Sequence, residues 1–171
     1  MEVTLRKFDI DDIPNKLKWI NDNENNEYLH YNIPLNIEDT TNWYNSNINN
    51  ENRHDMIIQC DGVPVGVIGI INISKKKGEY YITLGEKEYK RKGVSYEATK
   101  QILDYAFDEL GLEKVWLCVD DLNLPAKKLY EKIGFKQEGL LRKDIYFKNK
   151  MIDRCMYGIV KDEWKNEHIN N

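Results

Sequence analysis

The sequence predicts a single α/β (α+β) domain over residues 1–171, built on one mixed central sheet with helices on its faces. Three observations carry this. Asp61-Gly62 stands between two β-branched runs, a strong two-residue hairpin signal. From residue 79 to 134 the apolar pattern runs strand, helix, strand, helix, an order that calls for a parallel pair in an otherwise antiparallel sheet. The chain then closes on two strand-like runs, 139–147 and 151–160, that read as a second hairpin turning near Asn149-Lys150.

Taken in order, residues 1–10 alternate apolar and polar side chains and form the first strand. Asp11 or Asp12 is placed to cap a short helix on which Ile13, Leu17 and Ile20 share a face. Asn36 opens a second helix, and Glu38 and Asp39 in its first turn complement the helix dipole. A loop rich in Tyr and Asn separates the two. The runs 55–60, 65–73 and 79–86 give three antiparallel strands, the last two joined across 74-SKKKG-78. From Ser95 the period changes to 3.6: Ala98, Ile102, Tyr105 and Ala106 fall on one face, and Gly111 stops the helix. The apolar 115-VWLCV-119 is a buried strand. In the next helix Asn123 caps, Pro125 occupies the first turn and Gly134 terminates.

Composition narrows the function classes. With 41% hydrophobic residues the chain has enough apolar material for one core, and a net charge of −4 argues against a broad cationic face for nucleic acid. Cys60, Cys118 and Cys155 are odd in number, far apart and set in apolar runs, as reduced core residues are; His30, His54 and His168 share no metal-ligand spacing with them. No metal is expected. An amino-terminal strand pattern in place of an apolar leader, and no run long enough for a membrane span, lead to a cytoplasmic expectation.

The segment 90-KRKGVS-95 aims three cations at a helix start through a single glycine. A helix N-terminus presents unpaired N–H groups and a partial positive charge, so a chain able to approach it closely makes an anion site. A solvated basic turn capped by Ser95 is the simpler reading of these six residues alone. Neither the dinucleotide fingerprint nor the P-loop pattern is present.

About 30 residues on, 123-NLPAKKLYEKIGF-135 changes the weighting. The two segments together resemble the paired motifs of the GNAT acetyltransferase superfamily, an [RQ]-x-x-G-x-[GA] loop followed by N-x-x-A-x-x-L-Y-x-x-x-G-F. The second motif matches at Asn123, Ala126, Leu129, Tyr130, Gly134 and Phe135; the first departs mildly, with Lys90 for Arg or Gln and Ser95 for Gly or Ala. The resemblance implies direct acetyl transfer from acetyl-CoA to a primary amine, and a parallel strand pair that splays to admit the pantetheine near Leu84 and Cys118-Val119. It implies that Lys90, Arg91, Lys92, Gly93, Val94 and Ser95 hold the pyrophosphate, helped by Asn123 and Lys128. It makes Tyr130 the general acid for the departing thiolate, in place of a plain core aromatic. Asn123 joins it in the catalytic set.

An ammonium must lose a proton before it attacks, which for an amine of pKa about 10.4 costs roughly 4–5 kcal/mol at pH 7. Some relatives that act on protein N-termini carry a Glu where this chain has Cys118, so the base is sought elsewhere: Glu79 first, with Glu86, Asp120 and Asp121 as alternatives. The opening and closing segments resemble two GNAT groups, one acting on nucleotide-linked amino sugars and one on ribosomal proteins or polyamines. The loop containing Tyr28, His30, Tyr31 and Asn32 favours the amino sugar, with aromatic stacking and amides to match hydroxyls. A peptide N-terminus, a polyamine, or a non-catalytic coenzyme A-binding module remain alternatives, and a homodimer is compatible with all of them.

Overall fold

Seven strands form one continuous sheet in the computed structural model, which describes residues 1–168. In chain order the elements are β1 (Val3–Lys7), α1 (Ile13–Asn21), α2 (Ile37–Asn47), β2 (His54–Cys60), β3 (Val63–Ser74), β4 (Lys77–Leu84), α3 (Val94–Asp104), β5 (Lys114–Asp120), α4 (Leu124–Ile133), β6 (Lys136–Phe147), β7 (Lys150–Val160) and α5 (Lys161–His168). The sheet order is β1-β2-β3-β4-β5-β7-β6, antiparallel everywhere except between β4 and β5. The expected mixed architecture is therefore present, with β7 inserted between β5 and β6.

Local chemistry explains the elements. Asp61 and Gly62 both adopt positive φ (48° and 80°), as the tight β2–β3 turn requires. Lys75-Lys76 and Lys148-Asn149 do the same for the other two hairpins, the last one residue earlier than the sequence suggests. The first helix departs from expectation at its cap. Asp9 accepts from the Asp11 N–H and Asp12 reaches back to the Asp9 N–H, closing a capping box on a short 3-10 turn at Ile10–Asp12 that runs into α1. The Asp12 carboxylate also accepts from the Arg6 guanidinium, at 2.6 and 2.7 Å. Asn36 and Asn123 cap α2 and α4 as expected, through the Asp39 and Ala126 N–H groups.

Two apolar layers cover the sheet. On one face, α3 and α4 bury Val94, Ala98, Ile102, Leu103 and Tyr130 against Ile58, Ile68, Ile70, Leu117 and Val119. On the other, α1 and α2 enclose a smaller cluster of Phe8, Ile13, Trp19, Ile57 and Val67, with Trp43, Tyr44 and Tyr81 packed on it. The sequence pattern did not announce α5, yet its Trp164 is fully buried and its indole donates to Asp104 on α3. Among the described residues no helix is long and apolar enough to cross a membrane.

Candidate active site

Strands β4 and β5 pair only at Lys77–Glu79 with Lys114–Trp116; beyond that they part. Residues 80–84 then bond to β3 alone and 117–120 to β7 alone, so the facing edges of the two strands carry peptide groups with no strand partner. The break has a cause in the chain. After Leu84, both Gly85 and Glu86 donate to the single carbonyl of Val65, which turns the end of β4 away. Gly85 is required there, because a Cβ would sit 2.0 Å from Cγ of the Trp19 ring.

The anion loop follows directly. Gly93 takes a left-handed conformation (φ 84°) at the N-cap of α3, and Arg91 is also left-handed (φ 61°). No side chain caps this helix, so Ser95, the expected cap, lies inside it and turns its carbonyl to the Thr99 hydroxyl. The first backbone bond is Glu97 N–H to Gly93 carbonyl, which leaves the N–H groups of Val94, Ser95 and Tyr96 without a partner among the described residues. Arg91 and Lys92 are exposed beside them, and Lys128 is exposed with no ion pair among the described residues. Val94 is instead a core side chain and Leu84 packs on the core, so at these positions only backbone is offered. Lys90 is engaged elsewhere: its Nζ donates to Asn25 Oδ1 at 2.6 Å. The free donors, the permissive glycine and the parted strands fit a pyrophosphate with its pantetheine arm.

Tyr130 lies on α4 among Tyr80, Phe135 and Tyr157, at ring centroid distances of 5.8, 5.9 and 6.3 Å. Its hydroxyl makes no hydrogen bond among the described residues, yet it is not sealed from solvent. Burial pushes the phenol well above its ordinary value. It is therefore a protonated donor at every physiological pH, and it must give its proton in concert with bond breaking because it is a weak acid. Asn123, half-buried, commits its Oδ1 to the α4 cap at 3.3 Å.

The four carboxylates considered as base are sorted by their partners. Glu86 accepts from Lys18 and the Trp19 indole (2.6 and 2.7 Å), and Asp121 from Lys127 and Cys155 (2.8 and 3.0 Å). Glu79, half-buried at the last paired rung, accepts from Asn72 Nδ2 at 2.6 Å. Asp120, at the open end of β5, is only 6% exposed, has one hydrogen bond from the Leu122 N–H, and forms no ion pair among the described residues. Arg154, opposite it in register, bonds to Asp144 instead at 2.6 Å. Cys118, one residue before Val119 on the same open stretch, is half-buried, and burial raises its thiol.

The loop over this face divides. Tyr28 and His30 lie within electrostatic reach of Asp120, and His30 stacks edge-on against Phe147 at 4.7 Å. Partial burial and then Arg154 push the His30 imidazole down. Tyr31 turns toward Asp55, where burial raises its phenol. Asn32 is exposed and makes no hydrogen bond among the described residues. Asp55 itself receives Arg53 through two bonds (2.7 and 2.8 Å) and the hydroxyl of Tyr81, which lies far along the chain. Among the described residues no cluster of three His, Cys, Asp or Glu is arranged to hold a metal.

Comparison with known proteins decides the family. Residues 2–136 match the acetyltransferase (GNAT) domain. The chain belongs to the GNAT family. A spermidine N(1)-acetyltransferase of Escherichia coli (strain K12) is 30% identical over 114 residues, 66% of this chain and 61% of that protein. An uncharacterized N-acetyltransferase, YokL, of Bacillus subtilis (strain 168) is 34% identical over 113 residues, 65% of this chain and 63% of that one. The GNAT chain thus aligns with about three fifths of each relative. A spermidine N-acetyltransferase from Vibrio cholerae, determined in complex with CoA and spermine, superposes with a TM-score of 0.89 over 95% of this chain and 97% of that one, at 23% identity, a likeness of fold. The spermidine enzymes among these relatives favour the polyamine alternative over the amino-sugar acceptor that the loop composition suggested.

Proposed function

We propose that the protein is an N-acetyltransferase that moves an acetyl group from acetyl-CoA to a primary amine of a polyamine. The observation that carries the acceptor is Asp120: a buried carboxylate, unpaired with any cation among the described residues, at the open end of the parted strands. A buried charge of this kind calls for a cation, and an aliphatic ammonium supplies one. Names of relatives that act on spermidine support the same reading.

Acetyl-CoA supplies the activated acetyl group. The Val94–Tyr96 N–H groups and the exposed Arg91, Lys92 and Lys128 hold its phosphates, and the free edges of residues 80–84 and 117–120 align the arm. Asp120 binds the acceptor ammonium and takes its proton, directly or through His30. Tyr130 holds a proton at its hydroxyl for the departing sulfur.

The test is thiol release from acetyl-CoA with spermidine, a short peptide with a free N-terminus and a nucleotide-linked amino sugar, for the wild type and Asp120→Asn. Turnover is expected on spermidine, with KM raised roughly tenfold or more in the variant, the scale of one charge-assisted hydrogen bond. Turnover confined to the peptide or the sugar, or an Asp120→Asn enzyme with unchanged kinetics, overturns the acceptor assignment.

A further inference from the structure

Asn25 has both amide hydrogens and its amide oxygen engaged at a junction of three elements. Its Nδ2 donates to the Trp19 carbonyl in the last turn of α1 (3.1 Å) and to the Gly85 carbonyl beyond β4 (2.9 Å), while its Oδ1 accepts from Lys90 Nζ (2.6 Å). Lys90 is the residue that enters the anion loop. The loop that begins here ends at Leu35, which exchanges two hydrogen bonds with the Asn21 side chain (2.7 and 2.9 Å). Between these fastenings, Asn26 is 3% exposed and its Nδ2 has no partner among the described residues, a deficit that leaves this stretch poorly held from within.

We propose that Lys90 and Asn25 are positioning residues that tie the acceptor loop to the anion loop, Lys90 serving as a strut and not as a phosphate ligand. The inference rests on the assignment of Asp120 and His30 to the acceptor. Lys90 is half-buried and its bond to Asn25 is short, and Asn25 is itself fixed to α1 and to the end of β4, so this ammonium bridges the two loops. Charge for the phosphates comes from the exposed Arg91 and Lys92. Whatever displaces the strut changes how Tyr28 and His30 face Asp120.

The experiment is a double-mutant cycle of Lys90→Met and Asn25→Ala, with Lys90→Arg as the conservative variant. Three readings are taken: CoA affinity by calorimetry, kcat and acceptor KM separately, and amide hydrogen exchange over residues 26–32. The strut predicts that each single variant raises acceptor KM about tenfold, that the double variant is no worse than Asn25→Ala alone, and that Lys90→Arg restores wild-type KM. CoA affinity stays within about twofold in Lys90→Met, and exchange over 26–32 quickens in Lys90→Met but not in Lys90→Arg. A loss of CoA affinity beyond fivefold in Lys90→Met with exchange unchanged overturns the proposal and returns Lys90 to the phosphate. Quickened exchange with unaltered acceptor KM also overturns it, since the loop would then be held without being positioned. If the wild type acetylates no polyamine, the acceptor assignment fails, and the exchange and calorimetry comparisons still read the strut by themselves.

Discussion

Tyr130 illustrates what a single position owes to its neighbours. Its place in the N-x-x-A-x-x-L-Y pattern is legible in the sequence, but the aromatic cage that raises its phenol comes from Tyr80 on β4, Phe135 after α4 and Tyr157 on β7. Tyr130→Phe keeps the ring and the cage, so the fold should persist while the proton donor is lost. We expect kcat to fall by about 10²-fold or more with CoA affinity unchanged, measured by thiol release and calorimetry; equal kinetics would make Tyr130 a packing residue. The base is less legible. Asp120, Asp121, Glu79 and Glu86 look alike in sequence, and only their partners rank them: Lys18 with Trp19, Lys127 with Cys155, and Asn72 each occupy one, and Asp120 has a single backbone N–H.

At the scale of elements, punctuation residues made most of the fold readable. Asp61-Gly62, Asn36, Asn123 and Gly134 fix turns and helix ends through local backbone chemistry, which needs no knowledge of the rest of the chain. What failed depended on distant partners. Asp9 supplies the side-chain cap through a 3-10 turn ahead of α1, while Asp12, at the α1 N-cap position, turns its carboxylate back to the Asp9 N–H and to Arg6, and α5 forms on the strength of Trp164 reaching Asp104. Gly93 belongs to the legible group, and its left-handed φ leads to a test. Gly93→Ala should cost about 1–2 kcal/mol of stability from the left-handed penalty alone. The space is open, so no clash adds to this. Re-aiming the Val94–Tyr96 N–H groups should weaken CoA binding at least tenfold while leaving acceptor KM near wild type. Calorimetry on a variant confirmed as folded by circular dichroism decides it, and intact CoA affinity would remove the helix start from the anion site.

Across the whole molecule the buried titratable groups define a window of stability against pH. On the acid side, burial pushes the half-buried His54 down, and Asp55, though burial raises it, is held below the ordinary carboxylate range by Arg53 and Tyr81. Each binds fewer protons folded than unfolded, so its contribution is lost as pH falls through its folded value. On the alkaline side, burial raises Tyr80, Tyr81 and Tyr130, and burial with Glu131 pushes Tyr157 up to about 12. Their contribution is present below the ordinary phenol value of 10 and is lost as pH rises past it. Lys16 tilts the plateau between. It is 7% exposed on α1, and burial, with Arg53 adding to it and Asp55 opposing, brings it from 10.5 down to about 8. Unfolded chains therefore bind more protons at this site between pH 8 and 10.5, and stability rises with pH across that interval. The span corresponds to roughly 3 kcal/mol as an upper bound, offset by about 1–2 kcal/mol from the contact of Nζ with the Trp43 ring at 3.3 Å. Lys16→Met keeps the apolar stem and removes the charge, so at pH 7 it should stabilise the protein by about 1 kcal/mol, or roughly 2–4 °C in Tm. The gain should shrink steadily toward pH 10, where wild-type Lys16 is neutral in the fold. Thermal denaturation of both proteins at half-unit steps from pH 6 to 10 reads the difference, and a gap that stays constant with pH would show that Lys16 is not held in the depressed state its burial dictates.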